Sequence, residues 1–135
     1  MSLKINEIPV EGYERVIHAT NETTNLDCII AIHNTKLGPA LGGVRSWKYS
    51  SFNEQKSDVL RLSEAMTLKN SSCGINFGGG KAALNLSHTN KTPDLYRSYA
   101  EAVDLLSGEY LTAGDVNTFK EDLIECSKVT NYVYG

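Results

Sequence analysis

Lys69, Lys81 and Asp115 are the side chains in this sequence whose types and spacing could do chemistry. The two lysines stand twelve positions apart, in MTLKNSSCG and FGGGKAAL, and the aspartate follows YLTA. Two glycine sets accompany them, Gly42-Gly43 in GPALGG and Gly78-Gly79-Gly80 before Lys81. Singly, each has an ordinary reading. A lysine at a helix end partners the helix dipole, an aspartate after a strand makes a turn, and Gly-Gly-Gly-Lys is a flexible turn with a solvated charge. Together they describe a compact anion-binding pocket. Two ammonium groups held close repel, so one is pushed toward neutrality and can serve as a base near pH 7. The other stays charged and can hold a carboxylate, which glycines allow to approach the backbone.

The glycine run also matches nucleotide patterns by letter. Gly78, Gly80 and Ala83 satisfy a dinucleotide fingerprint, but that fingerprint needs a helix after it to hold the pyrophosphate. Here AALNLSHTNKTPD follows, a short strand and a turn. A phosphate loop needs glycine where Ile75 stands and Ser or Thr where Ala82 stands. Neither reading survives its context.

The elements that must position these residues alternate between strands and helices. LDCIIAIH, Leu26 to His33, reads as a buried strand, with a turn at Asn34 to Lys36. GPALGGVRSWKY follows, glycine-rich with strand formers toward its end. A helix is expected from about Asn53 to Lys69, with Asn53 as its N-cap and Val59, Leu62 and Met66 on one face. Ala83 to Leu86 is a short strand. Thr92-Pro93-Asp94 starts a second helix through Leu106, ended by Gly108. Tyr110 to Ala113 is another strand, and Thr118 to Glu121 is a capping-box pattern opening a last helix to about Lys128. This order argues for a single α/β domain over residues 1–135, a layered sheet with flanking helices. It places the candidate residues at strand ends and the turns after them, where such folds put their sites.

Composition narrows the class. The chain has 135 residues, 41% of them apolar, and a net charge of −3, so no basic field invites nucleic acid. No run reaches the length of a membrane span, so no membrane role is expected. Three widely spaced cysteines, Cys28, Cys73 and Cys126, fit reduced thiols in the cytoplasm better than disulfides or a zinc site, and no metal is expected.

Four segments in this order, GPALGGVR, DVLRLSEAMTLKN, FGGGKAAL and YLTAGDV, resemble the N-terminal catalytic and oligomerisation domain of the glutamate/leucine/phenylalanine/valine dehydrogenase superfamily, and most of all its leucine and valine members. The resemblance runs from about Tyr13 to Val133. It implies oxidative deamination of an L-amino acid to its 2-oxo acid and ammonia, with hydride passing to NAD or NADP, in a homo-oligomer. It implies that Lys69 holds the substrate carboxylate, with the Gly42-Gly43 backbone and Met66 lining that site. Lys81 would activate the attacking water, and Asp115 would shuttle protons to the substrate nitrogen. In glutamate-specific members a lysine stands at the position of Leu41. With Leu41 and Ala113 apolar here, a glutamate side chain would lack its charge partner, which predicts an aliphatic substrate (leucine, valine or isoleucine), with phenylalanine an alternative.

The chain also departs from that pattern. The resemblance implies a C-terminal Rossmann domain for the dinucleotide, and the sequence ends at Gly135. The expectation is a fragment that does not transfer hydride by itself. The alternative is a homo-oligomerising module that keeps only a carboxylate pocket. Leucine-type members carry an acidic residue at Gly114 and a glycine at Asn117. Asn tolerates the left-handed conformation a glycine would supply, so the turn beside Asp115 is expected to survive.

Overall fold

The computed structural model describes residues 2–134. Its centre is the isoleucine-rich strand. In Leu26–Asn34, side chains alternate between faces: Cys28, Ile30 and Ile32 join one core cluster and Ile29 and Ala31 the other. All five are buried, so this strand is covered on both sides. Six strands form the sheet: β1 Leu3–Glu7, β2 Arg15–Asn21, β3 Leu26–Asn34, β4 Ala40–Trp47, β5 Gly78–Asn85 and β6 Tyr110–Ala113. Their spatial order is β1-β2-β3-β5-β4-β6. The first three and β5 pair antiparallel, whereas β4 lies parallel to both β5 and β6. The fold is the expected α/β layered sheet with flanking helices.

Helix α1, Phe52–Ser72, covers one face and packs on β3, β4 and β5. Helices α2, Pro93–Leu105, and α3, Lys120–Ser127, cover the other. Thr92 caps α2 as expected, its hydroxyl accepting from the Leu95 N–H at 3.1 Å, with Pro93 in the first turn. The α1 cap differs from expectation. Ser51, not Asn53, accepts the Glu54 N–H at 3.1 Å, because Ser50 holds the Glu54 carboxylate and fixes the entry two residues earlier. The α3 cap also shifts, with the Asp122 carboxylate accepting from the Phe119 N–H.

The larger correction concerns the glycines. Gly78, Gly79 and Gly80 are not a turn. They open β5 and are buried. A Cβ on Gly79 would lie 2.1 Å from the Thr67 N and Oγ1 atoms of α1, and one on Gly80 would lie 2.8 Å from the Tyr110 ring. Gly79 is therefore the point where helix and sheet touch backbone to backbone. Strands β1 and β2 carried no expectation. At the far edge, β6 is held on its outer side by the last described residues: the Thr112 N–H donates to the Tyr132 carbonyl at 3.0 Å and the Tyr134 N–H to the Thr112 carbonyl at 2.8 Å.

Candidate active site

Strand alternation sets which residues can meet. On β4, Val44 joins the core under α2, so Leu41, Gly43 and Arg45 face α1. On β5, Ala83 packs in the α1-side cluster, so Gly79 and Lys81 share that face. On β6, Tyr110 belongs to the opposite core, which turns Ala113 to the α1 side. The registers Val44↔Ala82 and Gly43↔Ala113 put Lys81, Gly43 and Ala113 in one row across three parallel strands. Asp115 stands just past the end of β6.

Lys81 Nζ lies 2.8 Å from Asp115 Oδ2, with the two side chains 9% and 18% exposed. The lysine must cross the intervening strand β4 to reach the aspartate, and it crosses at Gly43. A Cβ there would lie 2.8 Å from the Asp115 Cβ and 2.3 Å from the Gly114 carbonyl oxygen. Glycine is thus needed at position 43 for the ion pair to form. Burial alone would raise the Asp115 carboxyl, but the Lys81 ammonium at hydrogen-bonding distance outweighs it, and the carboxyl is held below its ordinary value. The turn carrying it is closed by the Thr118 N–H on the Asp115 carbonyl at 3.0 Å, with Asn117 at φ 58°, the left-handed conformation expected of it.

The remaining expected residues fall around this pair. Leu41 is buried and Ala113 half-buried. Asn70, near the end of α1, donates to the Leu41 carbonyl at 3.3 Å and the Gly78 carbonyl at 2.7 Å, seating that turn of helix on β4 and β5. Met66, four residues before Asn70, shares its side of the helix by spacing. Met66 is half-buried and Lys69 is exposed, with no ion pair among the described residues. The expected facing of two ammonium groups is therefore not what Lys81 displays; its partner is a carboxylate. The Gly42-Gly43 backbone is fixed from beneath. The Tyr110 hydroxyl donates to the Gly42 carbonyl at 2.7 Å, and the Tyr99 hydroxyl lies 2.7 Å from Thr112 Oγ1. Burial pushes both phenols up, so they keep their protons.

Two residues near the site carried no expectation. Arg45 Nε stands 3.5 Å from Asp115 Oδ2 and Arg45 Nη1 3.4 Å from Asp58 Oδ2 on α1. The signal was available: in GGVR, alternation puts the arginine on the face of Gly43. Arg45 and Asp58 also line a pocket of about 560 Å³ with Trp47, Tyr49, Arg61 and Val116. Neither Lys81 nor Asp115 lines it, so it is a cleft beside the site.

The residues present do not fit a dinucleotide. Gly78 and Gly80 lie inside a strand, the space a Cβ of Gly78 would need is taken by the Asn34 carbonyl at 1.8 Å, and strand rather than helix follows.

A mixed six-stranded sheet with helices on both faces is the architecture of an amino-acid dehydrogenase N-terminal domain. L-Tryptophan dehydrogenase from Nostoc punctiforme has it, with a TM-score of 0.87 and 41% identity over 90% of this chain and 37% of that one. The sequence matches the Glu/Leu/Phe/Val dehydrogenase, dimerisation domain, family over residues 10–130, and the chain belongs to that family. It is 39% identical to phenylalanine dehydrogenase from Lysinibacillus sphaericus over 93% of its length, and 40% identical to leucine dehydrogenase from Bacillus subtilis (strain 168) over 91%. It spans about a third of the length of these relatives, 33% and 34%. Among the described residues no helix is long and apolar enough to cross a membrane.

Proposed function

We propose that this chain is the substrate-handling part of an NAD(P)-dependent L-amino-acid dehydrogenase that deaminates an apolar amino acid to its 2-oxo acid and ammonia. The observation that carries the reading is the Lys81–Asp115 pair at 2.8 Å, on one sheet face with Leu41 and Ala113. Asp115, held ionised by Lys81, is placed to accept a proton from the substrate nitrogen and return it as ammonia leaves. Lys81, after releasing its own proton to solvent, takes the proton of the water whose oxygen attacks the α-carbon. Lys69, exposed at the end of α1, swings in as the cation for the α-carboxylate, beside Met66 and the Gly42-Gly43 backbone. The hydride acceptor would be NAD or NADP, which the residues present do not seat, so the chemistry assigned to this chain is binding and proton transfer.

The relatives' names span phenylalanine, leucine and tryptophan, all side chains without a charge, in keeping with Leu41 and Ala113 here. Within that class we favour a branched aliphatic substrate. The family's dimerisation-domain description supports a homo-oligomer, and three free cysteines, two of them buried, suit the cytoplasm.

The test is deamination by the full-length protein. Lys81→Ala is expected to abolish turnover while the oligomer persists, and Lys69→Ala to raise KM for the amino acid. Unchanged turnover in Lys81→Ala sinks the mechanism, and glutamate as the best substrate sinks the Leu41 argument.

A further inference from the structure

The side chain of Arg45 spans two carboxylates, Asp58 on α1 and Asp115 beyond β6, at 3.4 and 3.5 Å. The Asp58 end is fixed. The Tyr49 hydroxyl donates to Asp58 Oδ2 at 2.6 Å, and Arg61 Nη2 donates to Oδ1 at 2.6 Å. Burial, then the bond to Asp58, raises the Tyr49 phenol, so this donor keeps its proton. The Asp115 end is different. Arg45 Nε is buried without an aligned hydrogen bond, and it faces Asp115 Oδ2, a buried oxygen that has Lys81 Nζ at 2.8 Å on its other side. A buried donor and a buried acceptor face each other across a gap slightly too wide to bond, an arrangement costly unless their charges serve one another. Arg45 also lines the 560 Å³ cleft, which gives its guanidinium room to close that gap.

We propose that Arg45 is a positioning residue for Asp115: anchored by Asp58, it is the permanent cation that keeps the aspartate ionised and aimed while Lys81 exchanges its proton. This rests on Lys81 and Asp115 being the proton-transfer pair proposed above. When Lys81 gives up its proton, the closest compensating charge of Asp115 goes with it, and a half-buried carboxylate without a cation takes up a proton itself. A guanidinium does not titrate in this range. The groups facing Asp115 are Lys81 from β5, Arg45 from β4, the Val116 N–H of its own turn and, more remotely, the Tyr110 hydroxyl of β6. Asp58 from α1 acts through Arg45. Of these, only Arg45 is a cation that stays charged throughout the cycle.

The test follows the Asp115 carboxyl by ¹³C-detected titration of the 135-residue chain as wild type, Arg45→Gln, Arg45→Lys and Asp58→Asn. The Asp115 midpoint is expected to rise by about one pH unit in Arg45→Gln. Arg45→Lys should restore most of that shift, and Asp58→Asn, which frees the guanidinium for Asp115, should lower the midpoint. A folded Arg45→Gln chain with the wild-type midpoint overturns the proposal. If that variant does not fold, an unmoved midpoint in Asp58→Asn overturns it instead. In the full-length protein, the acid limb of kcat should move with the Asp115 midpoint. No deamination in a protein whose Asp115 still follows Arg45 would remove the functional reading; normal deamination with an Asp115 indifferent to Arg45 would remove this inference alone.

Discussion

The two faces of the sheet are closed by different means. Under α2, large apolar side chains fill the space: Leu95, Tyr96, Tyr99 and Leu106 pack on Ile17, Ile30, Ile32 and Leu84, all buried. Under α1 the apolar cluster is small, essentially Val16, Ile29, Ala31, Tyr49, Val59 and Ala83. There the helix comes close because β5 offers Gly79 instead of a side chain. It is then tied down by polar groups: Gln55 Nε2 on the Ala83 carbonyl at 3.0 Å, and Asn70 on the carbonyls of Leu41 and Gly78. A face closed by volume tolerates small adjustments and contributes stability in proportion to area. A face closed by close approach fixes distances, which is what a lysine reaching across a strand to an aspartate requires. The proposed chemistry sits on the second kind of face.

That contrast breaks or sharpens by substitution. Gly79→Ala is expected to do most damage, about 4 kcal/mol or more, because the new Cβ meets helix backbone at 2.1 Å and only a displaced α1 relieves it. Urea unfolding measures the loss, and a cost near that of a surface change would show that α1 is not held by close approach. Leu95→Ala, on the volume-closed face, should cost about 3 kcal/mol while leaving the Asp115 carboxyl titration where it was. Asn70→Ala should cost about 1–2 kcal/mol, since it takes a donor from two buried carbonyls, and should weaken substrate analogues more than Leu95→Ala on the other face does.

The smallest effect is expected at Asp27→Asn. Burial raises this carboxyl, but His18 at 2.7 Å, with Asn85 and Gln55, holds it below its ordinary value. A depressed carboxyl stabilises the fold above its unfolded value, about 3.9, and that contribution is lost as pH falls through the folded one. Wild type should therefore exceed the variant in urea midpoint at pH 6, with the gap closing toward pH 3. A gap that widens on acidification contradicts the sign.

Local signals made much of this fold legible. The run of isoleucines, the Thr92-Pro93 start and the strand YLTA each carry their own cause, a pattern or a cap, within a few residues. The glycines of β5 carry none. Three residues without side chains look the same in a turn and in a strand, and what decides is Thr67, Asn34 and Tyr110 arriving from elsewhere in the chain. At the site, the sequence marks Lys81 and Asp115 as chemically able, but their pairing depends on β4 lying between them with Gly43 at the crossing. Arg45 lies on the same face by simple alternation and was legible in principle. Ser51 displaced Asn53 as cap because two capable residues stand two apart and Ser50 favours the earlier entry.

The strap along the outer edge of β6 has a mechanical consequence. Thr112 is gripped on that side by Tyr132 and Tyr134, and Asp115 hangs three residues further on, just past the end of the strand. Tension on the segment around Tyr134 loads those two hydrogen bonds first and passes into a strand only four residues long. The Lys81 end of the ion pair, in an interior strand, stays put. The distance between base and acid is thus the one dimension of the site that a pull on the strap would change.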